Sequence, residues 1–230
     1  MSVSSIRWKK AQKQELKTYQ DQKYLWSTIE DSFLYGNFSI GLNFFNQKTI
    51  LEVGCSPLAS IHGIKNAYKA GLDPLAYEYN KTLRKNTIHI QGRGEELPFK
   101  DGAFDLILCI NTLDHVQNPD KVLREIKRCL KNGGCLLLWL QTYSTLKIIR
   151  KGLTLYDCAH PHHLSDNEVS DILFKLEYDV VNHIYKKPSY YKIISMLKSK
   201  LFNSGIKSLF ANLFLGLHES TFICLKRILM

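Results

Sequence analysis

From Thr49 onward, short apolar runs alternate along the chain with stretches in which apolar residues recur at helical spacing. Seven runs are short enough and apolar enough to be strands: TILEV (49–53), a run ending in AGLDP (70–74), TIHIQ (87–91), FDLILCI (104–110), CLLLWL (135–140), YDVVNHI (178–184) and TFICLKRI (221–228). Uninterrupted apolar runs are typical of strands buried on both faces, as in parallel sheets. Strands separated by helices and joined by short loops predict a doubly wound, parallel α/β sheet.

The clearest predicted helix begins after Asn118. Asn118 suits the N-cap, Pro119 the first helical position and Asp120 the positive end of the helix dipole, and we expect the helix to end at Gly133. Residues 59–68 indicate a weaker helix. Residues 1–46 predict a helical N-terminal cap whose apolar face carries five residues: Trp8, Ala11, Leu16, Tyr19 and Trp26. Residues 47–230 form the main predicted domain.

An insertion at about residues 186–220 separates the last two predicted strands and has helical spacing. It is too long for a structureless loop. Packing on the domain is the favoured interpretation. The alternatives are a lid over a substrate, a dimer contact, or a basic amphipathic hairpin on an anionic membrane.

Composition narrows the class of protein. With 45% hydrophobic and 23% charged residues in 230, the chain is neither disordered nor collagen-like. Its six cysteines form no CxxC pair and lie mostly in apolar runs, which disfavours a zinc site or a disulfide scaffold. We find no run of the ~20 apolar residues that span a bilayer and no signal-peptide pattern, so the expected location is cytoplasmic.

Net charge is +10, and residues 180–230 contain eight Lys or Arg against one acidic residue. A surface of this kind can meet nucleic acid, anionic lipid or a phosphorylated substrate. A plain solvated basic face explains it equally well. Nucleic acid is therefore an open but less favoured partner, and the oligomeric state is not indicated.

Two carboxylates and a glycine lie at predicted strand ends, where doubly wound sheets bind ligands. Glu52 ends the first strand, Gly54 permits a tight turn, and Asp73 ends the second strand nineteen residues later. A carboxylate at the second position can accept hydrogen bonds from both ribose hydroxyls. Each residue also has a structural alternative: Glu52 could cap a neighbouring helix, and Asp73 could form an Asp-Pro turn.

Residues 49–140 resemble the class I S-adenosylmethionine-dependent methyltransferases. The matching segments are ILEVGCSP, AGLDPL and GRGEELPFKDGAFDLILCINTLDHVQNPDKVLREIKRCLKNGG. RWKKAQKQE and HPHHLSDNEV are similar to a bacterial and archaeal subgroup of methyltransferase type 11 associated with glycan gene clusters. The resemblance implies a Rossmann-like, mostly parallel seven-stranded sheet with an antiparallel last strand, in three α/β/α layers.

By this resemblance, the cofactor is S-adenosyl-L-methionine. Glu52 faces its methionine ammonium, Asp73 binds the ribose, and Asn111 lies under the methionine. The full set of implied cofactor-binding residues is Glu52, Gly54, Cys55, Ser56, Asp73, Pro74, Gly94, Glu95 and Asn111. The chain departs from the family pattern at Ser56 and Leu58, where glycines are usual, and at Arg93, where an acidic residue is common.

Histidines are the candidate catalytic bases, because imidazole titrates near neutral pH. We expect His115 to be the base, with His163 as the second candidate; a structural hydrogen-bonding role for His115 is equally open. Tyr156, His160 and His163 are expected to bind the acceptor, with Asp157 and His162 nearby. We do not expect a metal site in HPHH, since adjacent histidines rarely converge on one ion. Ser165 and Glu168 predict a capping box.

The expected function is methyl transfer to a small molecule or glycan, at oxygen. RNA or protein methylation is the first alternative, although no Asn-Pro-Pro-Tyr-like tetrapeptide is present. A catalytically silent methyltransferase-fold binding module is the second. A nicotinamide dehydrogenase is disfavoured, because EVGCSPLAS lacks the G-x-G-x-x-G spacing.

Overall fold

The structure, a computed structural model, describes residues 2–21, 32–57, 60–78, 87–187 and 216–227. These residues form one seven-stranded sheet in the order β3-β2-β1-β4-β5-β7-β6. The strands are β1 (Thr49–Val53), β2 (Tyr68–Asp73), β3 (Ile88–Gln91), β4 (Phe104–Ile110), β5 (Leu130–Tyr143), β6 (Tyr178–Lys186) and β7 (Leu217–Lys226). Strands β1 to β5 pair in parallel, and β7 pairs antiparallel with β5 and β6. The predicted fold class is confirmed.

Helices cover both faces of the sheet. They are α1 (Ser5–Asp21), α2 (Ser32–Phe38), α3 (Pro119–Cys129), α4 (Lys147–Tyr156) and α5 (Asp166–Lys175), with 3₁₀ helices at Leu42–Phe45 and Ser60–Gly63. Successive residues of β1 pack against the helices on opposite faces of the sheet, because the side chains of a strand point alternately to the two faces. Leu51 and Val53 share a core with α3 and α5, whereas Ile50 lies in a second core with Leu34 and Phe38 of α2.

Helix α3 begins as predicted and ends earlier. The Asn118 side chain accepts a hydrogen bond from the Lys121 amide at 3.1 Å, the N-cap arrangement. The helix ends at Cys129 rather than at Gly133, because Leu130 takes an extended conformation and pairs with Phe104 at the start of β5. Pairing with the sheet thus outweighs the local helix signal.

Two further predictions need correction. The weak helix at residues 59–68 is only the 3₁₀ turn Ser60–Gly63, and Tyr68 already belongs to β2. The insertion does not extend to residue 220, because β7 begins at Leu217 and pairs there with Tyr143. Residues 188–215 lie outside the described residues, as do Trp26, Leu58 and Ala59, so the lid, membrane and packing interpretations of the insertion remain predictions.

Strands β1 and β4 are neighbours in the sheet, but the chain continues from β1 to β2 on one side and from β4 to β5 on the other. The strand order therefore reverses between them. A crevice at the carboxyl ends of the strands is expected at such a switch point. All six cysteines are free thiols, five of them buried. No helix in the described segments is long and apolar enough to cross a membrane.

Candidate active site

A cavity of about 260 Å³ lies at the switch point between β1 and β4. All nine residues that the sequence analysis assigned to cofactor binding line it, together with His115. They reach it from the ends of four strands and the loops that follow: Glu52, Gly54, Cys55, Ser56, Asp73, Pro74, Gly94, Glu95 and Asn111. Residues that are far apart in sequence therefore meet in one ligand-sized space.

The turn after β1 is tight because the backbone passes against the loop after β4. Gly54 has φ +73°, and a Cβ there would lie 2.3 Å from the Thr112 side chain. Thr112 is fixed in turn, since its hydroxyl donates to the Val53 carbonyl at 3.1 Å. Ser56 and Asn111 also adopt positive φ, of 38° and 49°. The turn that lacks the usual glycine is thus made with serine in a strained conformation.

Replacing Gly54 with alanine is expected to lower the free energy of unfolding by about 2–4 kcal/mol, because a side chain there combines left-handed backbone strain with overlap on Thr112. Urea denaturation measures the change. Gly152→Ala is the matched control: Gly152 lies in α4, and a Cβ added there would have no atom within 4 Å, so alanine should be neutral or slightly stabilising. Equal effects of the two substitutions would contradict the described packing.

Asp73 is both a turn former and a cavity carboxylate. Its Oδ2 accepts from the Ser56 amide at 3.0 Å and its Oδ1 from the Leu75 amide at 2.8 Å. Burial raises its pKa to about 7, helped by the nearby Glu15 carboxylate, while the two amides oppose the rise. The side chain therefore fixes the two loops that border the cavity and still faces it.

Glu52 caps the 3₁₀ helix that follows the turn. Its carboxylate oxygens accept from the Ser60 amide at 3.1 Å and the Ile61 amide at 3.0 Å. Burial raises its pKa to about 7 despite these hydrogen bonds, and the charge of Asp73 adds to the rise. The capping alternative is thus present in the structure, and the same side chain also lines the cavity.

A buried carboxyl with a raised pKa stabilises the fold at low pH and loses that contribution as the pH rises from its unfolded value towards its folded value. For Glu52, with a folded pKa of about 7, wild type should lose about 2–3 kcal/mol of stability between pH 5 and 8 that Glu52→Gln does not lose. Urea denaturation of both proteins at the two pH values measures the difference. Parallel pH profiles for the two proteins would show that Glu52 titrates normally.

The Glu95 carboxylate organises the loop before α3. Its Oε1 accepts from the Gln117 amide at 2.7 Å and the Asn118 amide at 3.0 Å. Arg93, where the family pattern often has an acidic residue, stacks over the Trp8 ring at 4.7 Å and donates to the Gln117 side chain at 2.6 Å. Arg93 therefore ties this loop to helix α1.

Helix α1 supplies a wall of the cavity that the sequence analysis missed. Four of its residues, on successive turns of the helix, line the cavity: Trp8, Gln12, Glu15 and Tyr19. The indole N–H of Trp8 donates to the His115 carbonyl at 3.1 Å. Polar Gln12 and Glu15 on an otherwise apolar helix face were the available signal, because a face that only packs on a core is seldom interrupted by polar residues.

Arg7, also on α1, fixes the loop after α4. Its guanidinium donates to the Cys158 carbonyl at 2.7 Å and the His160 carbonyl at 3.2 Å, and it also bonds the Asp157 carbonyl. The loop with the expected acceptor-binding residues is thereby held against α1 and close to the cavity.

His115 lies in the cavity wall between two carboxylates. Its Nδ1 is 3.7 Å from Glu15 Oε2, and its Nε2 is 3.7 Å from Asp114 Oδ2. Nδ1 is buried and makes no hydrogen bond with the described residues. The structural role of this imidazole and its role as a base both stay predictions.

The remaining candidates lie around Asp157, beside the cavity. Asp157 Oδ2 is 2.8 Å from His160 Nδ1 and 3.2 Å from His163 Nε2. Burial alone would raise the pKa of Asp157, but these histidines outweigh it and keep the pKa below its usual range. The His160 ring lies 4.7 Å from that of His115, whereas the His163 side chain is only 2% exposed and does not line the cavity.

Tyr156 ends α4, and its side chain lies outside the described residues, so its acceptor-binding role stays a prediction. His162 borders a second, smaller cavity of about 90 Å³, and burial lowers its pKa. The Ser165–Glu168 capping box forms as predicted at the start of α5.

Comparisons with known proteins agree with this architecture. A family of methyltransferase domains matches residues 51–138. The uncharacterised protein MJ0638 of Methanocaldococcus jannaschii is 31% identical over 175 residues, which are 71% of this chain and 71% of that protein. The thiol S-methyltransferase TMT1B of Rattus norvegicus is 32% identical over 104 residues, 41% of this chain and 43% of that protein.

A solved structure with the same fold is the geranyl diphosphate C-methyltransferase of Streptomyces coelicolor, in complex with Mg²⁺, geranyl diphosphate and S-adenosyl-L-homocysteine. It aligns with a TM-score of 0.69 at 13% identity, over 85% of this chain and 78% of that chain. The sheet order, the matched domain and the long match to MJ0638 agree with one another, and the chain belongs to the class I methyltransferase family.

Proposed function

We propose that the protein transfers a methyl group from S-adenosyl-L-methionine to a small-molecule or glycan acceptor, at oxygen. The observation that carries the proposal is the cavity at the switch point, because all nine expected cofactor-binding residues line it. Chance placement of residues from several strand ends would not bring them around one space.

The chemistry of the lining fits the cofactor. Asp73 offers a carboxylate to the two ribose hydroxyls, and Glu52 offers one to the methionine ammonium, directly or through water. Gly94 and Glu95 would border the adenine, and Asn111 the methionine. The bound cofactor would supply a sulfonium methyl group, which needs an in-line nucleophile and little covalent help from the protein.

The chain's own contribution to catalysis would be orientation of the acceptor and removal of its proton. Holding donor and nucleophile in line is worth about 7–11 kcal/mol of barrier. His115 Nδ1 is the atom we assign to take the proton, because His115 lines the cavity and this nitrogen makes no hydrogen bond with the described residues. The carboxylates on either side of the ring would stabilise the imidazolium that results.

Three polar side chains that the cofactor assignment does not use also line the cavity. Gln12, Glu15 and His115 line it, and these groups suit an acceptor with several hydroxyls, such as a sugar. The related proteins are named for methyl transfer to a thiol and to a carbon, so membership of the family does not define the acceptor atom. Oxygen is proposed because a hydroxyl acceptor requires a base and His115 provides one.

The alternatives make different predictions. RNA or protein methylation is suggested by the net charge of +10, and a silent binding module by Ser56, Leu58 and Arg93, which depart from the family pattern. Salt-dependent RNA binding distinguishes the first alternative. Failure to bind the cofactor distinguishes the second.

Calorimetric titration with S-adenosylmethionine and S-adenosylhomocysteine tests the proposal. Micromolar binding of both by the purified full chain is the expected result, and it justifies an acceptor screen that begins with sugars and lipid-linked glycans. A folded protein that binds neither compound would exclude the methyltransferase and favour the binding module.

A further inference from the structure

Three side chains with metal-ligating atoms converge beside the cofactor cavity. Asp114 and His115 follow β4, and His160 comes from the loop after α4; each offers one ligand atom, and these atoms lie within 4.8 Å of one another. Two adjacent histidines of HPHH did not predict an ion site. The structure instead brings the first histidine of that segment, His160, close to His115, 45 positions earlier in the chain, so the convergence is a product of folding.

His160 is held in the orientation that metal-binding histidines have. Its Nδ1 lies 2.8 Å from Asp157 Oδ2. A carboxylate on one ring nitrogen fixes the tautomer and presents the other nitrogen, Nε2, to a metal. Arg7 holds the backbone of the same loop, since it donates to the His160 carbonyl at 3.2 Å.

Asp114 has a buried carboxylate oxygen that the described residues leave without a hydrogen bond. This atom is Oδ1, on a side chain only 9% exposed. Burying a carboxylate oxygen without a hydrogen-bond partner costs stability. A cation at this position would remove that cost.

The electrostatic environment attracts positive charge. Glu15 stands 3.7 Å from His115 on the opposite side from Asp114, and neither carboxylate pairs with a described lysine or arginine. The same negative charge would favour a bound cation.

We propose that Asp114, His115 and His160 bind one divalent cation of the zinc type, with a coordination position open towards the cavity. Two imidazoles and one carboxylate suit Zn²⁺ and similar borderline ions, and three protein ligands with an open position are typical of catalytic sites. Tetrahedral Zn²⁺ places its ligand atoms about 3.3 Å apart. His115 Nε2 and Asp114 Oδ2 are 3.7 Å apart, so small side-chain movements complete the site.

This inference rests on the proposed function and deepens it. A cation here would bind the acceptor oxygen at its open position and lower the pKa of that hydroxyl, and the released proton would pass to the Glu15 carboxylate, which lines the same cavity. His115 then serves as a ligand and not as the free base. The acceptor class that follows is an alcohol or sugar hydroxyl able to coordinate a metal.

The test uses tag-free, full-length protein stripped of metal with a chelator and titrated with CoCl₂ at pH 8. Visible absorption of Co²⁺ reports the number and type of its ligands, and competition with ZnCl₂ gives the zinc affinity. We expect one equivalent to bind with a dissociation constant of about 1 µM or below. His160→Ala should weaken binding by at least about 100-fold, and Asp157→Asn, which removes the charge of the carboxylate that orients His160 and also contacts His163, by about 10–100-fold.

His183→Ala is the matched control, because His183 pairs with Asp166 at 2.8 Å on β6, away from the site. It should bind cobalt as wild type does, and melting temperatures check that each variant is folded. Absence of stoichiometric binding by wild type, or equal affinities of the His160 and His183 variants, overturns the proposal. Titration of the same stripped protein with S-adenosylmethionine separates this outcome from failure of the proposed function, since cofactor binding does not require the ion.

Discussion

Asp73→Ala is expected to weaken S-adenosylmethionine binding by at least about 100-fold while the protein remains folded. Hydrogen bonds to a charged group are worth about 1.5–3 kcal/mol each, and two ribose hydroxyls would lose their acceptor; a 100-fold change in affinity is about 2.7 kcal/mol. The substitution also removes the carboxylate that accepts hydrogen bonds from the Ser56 and Leu75 amides in the wild-type protein. These hydrogen bonds hold the two loops that border the cavity. Calorimetry gives the affinity, and urea denaturation the stability.

Two further variants make the Asp73 result specific. Asp73→Asn keeps the size of the side chain and one oxygen. It should therefore preserve the loop conformation better than Asp73→Ala does, and lower the cofactor affinity by a smaller factor. Asp171→Ala removes an exposed carboxylate of α5 and should change neither property. Wild-type affinity in a folded Asp73→Ala protein would refute the ribose assignment.

His115→Ala is expected to lower the turnover number by about 10²–10⁴-fold with an identified hydroxyl acceptor, the usual contribution of a general base. Cofactor affinity should change by no more than about threefold, because in our assignment the imidazole faces the acceptor and the cavity carboxylates hold the cofactor. Steady-state kinetics and calorimetry on the same preparation separate the two quantities.

The control for His115 is again His183→Ala, whose turnover should match wild type. A loss of turnover at His115 is expected whether the imidazole is a free base or a metal ligand, and the cobalt titration decides between the two roles. Unchanged turnover in His115→Ala would move the search for the base to His160 and His163, on either side of Asp157.

The sequence alone predicted the sheet and the strand-end residues correctly. β1 and β4 have the predicted bounds, because a buried parallel strand must be apolar on both faces and its ends are marked by turn residues. Glu52, Gly54 and Asp73 were found because ligand sites in this architecture occur at the carboxyl ends of strands. Local patterns suffice for features that depend on one strand and its adjacent turn.

Local signals failed where a distant partner decides the conformation. Leu130 is not part of helix α3 because it pairs with Phe104 in the sheet. Leu217 belongs to β7 because it pairs with Tyr143. Hydrogen bonding between strands satisfies the backbone as well as a helix does, so the element boundary depends on which partner the fold brings near.

The sequence by itself thus determined the fold class, the family resemblance and the strand ends that form the floor of the cavity. Only the tertiary structure showed that α1 closes the cavity with Trp8 and Glu15, and that His115 meets His160 across 45 residues of chain. The physical reason is that these contacts are made by docking of separate elements. Hydrophobic periodicity specifies which face of an element is buried, and it does not specify which other element covers that face.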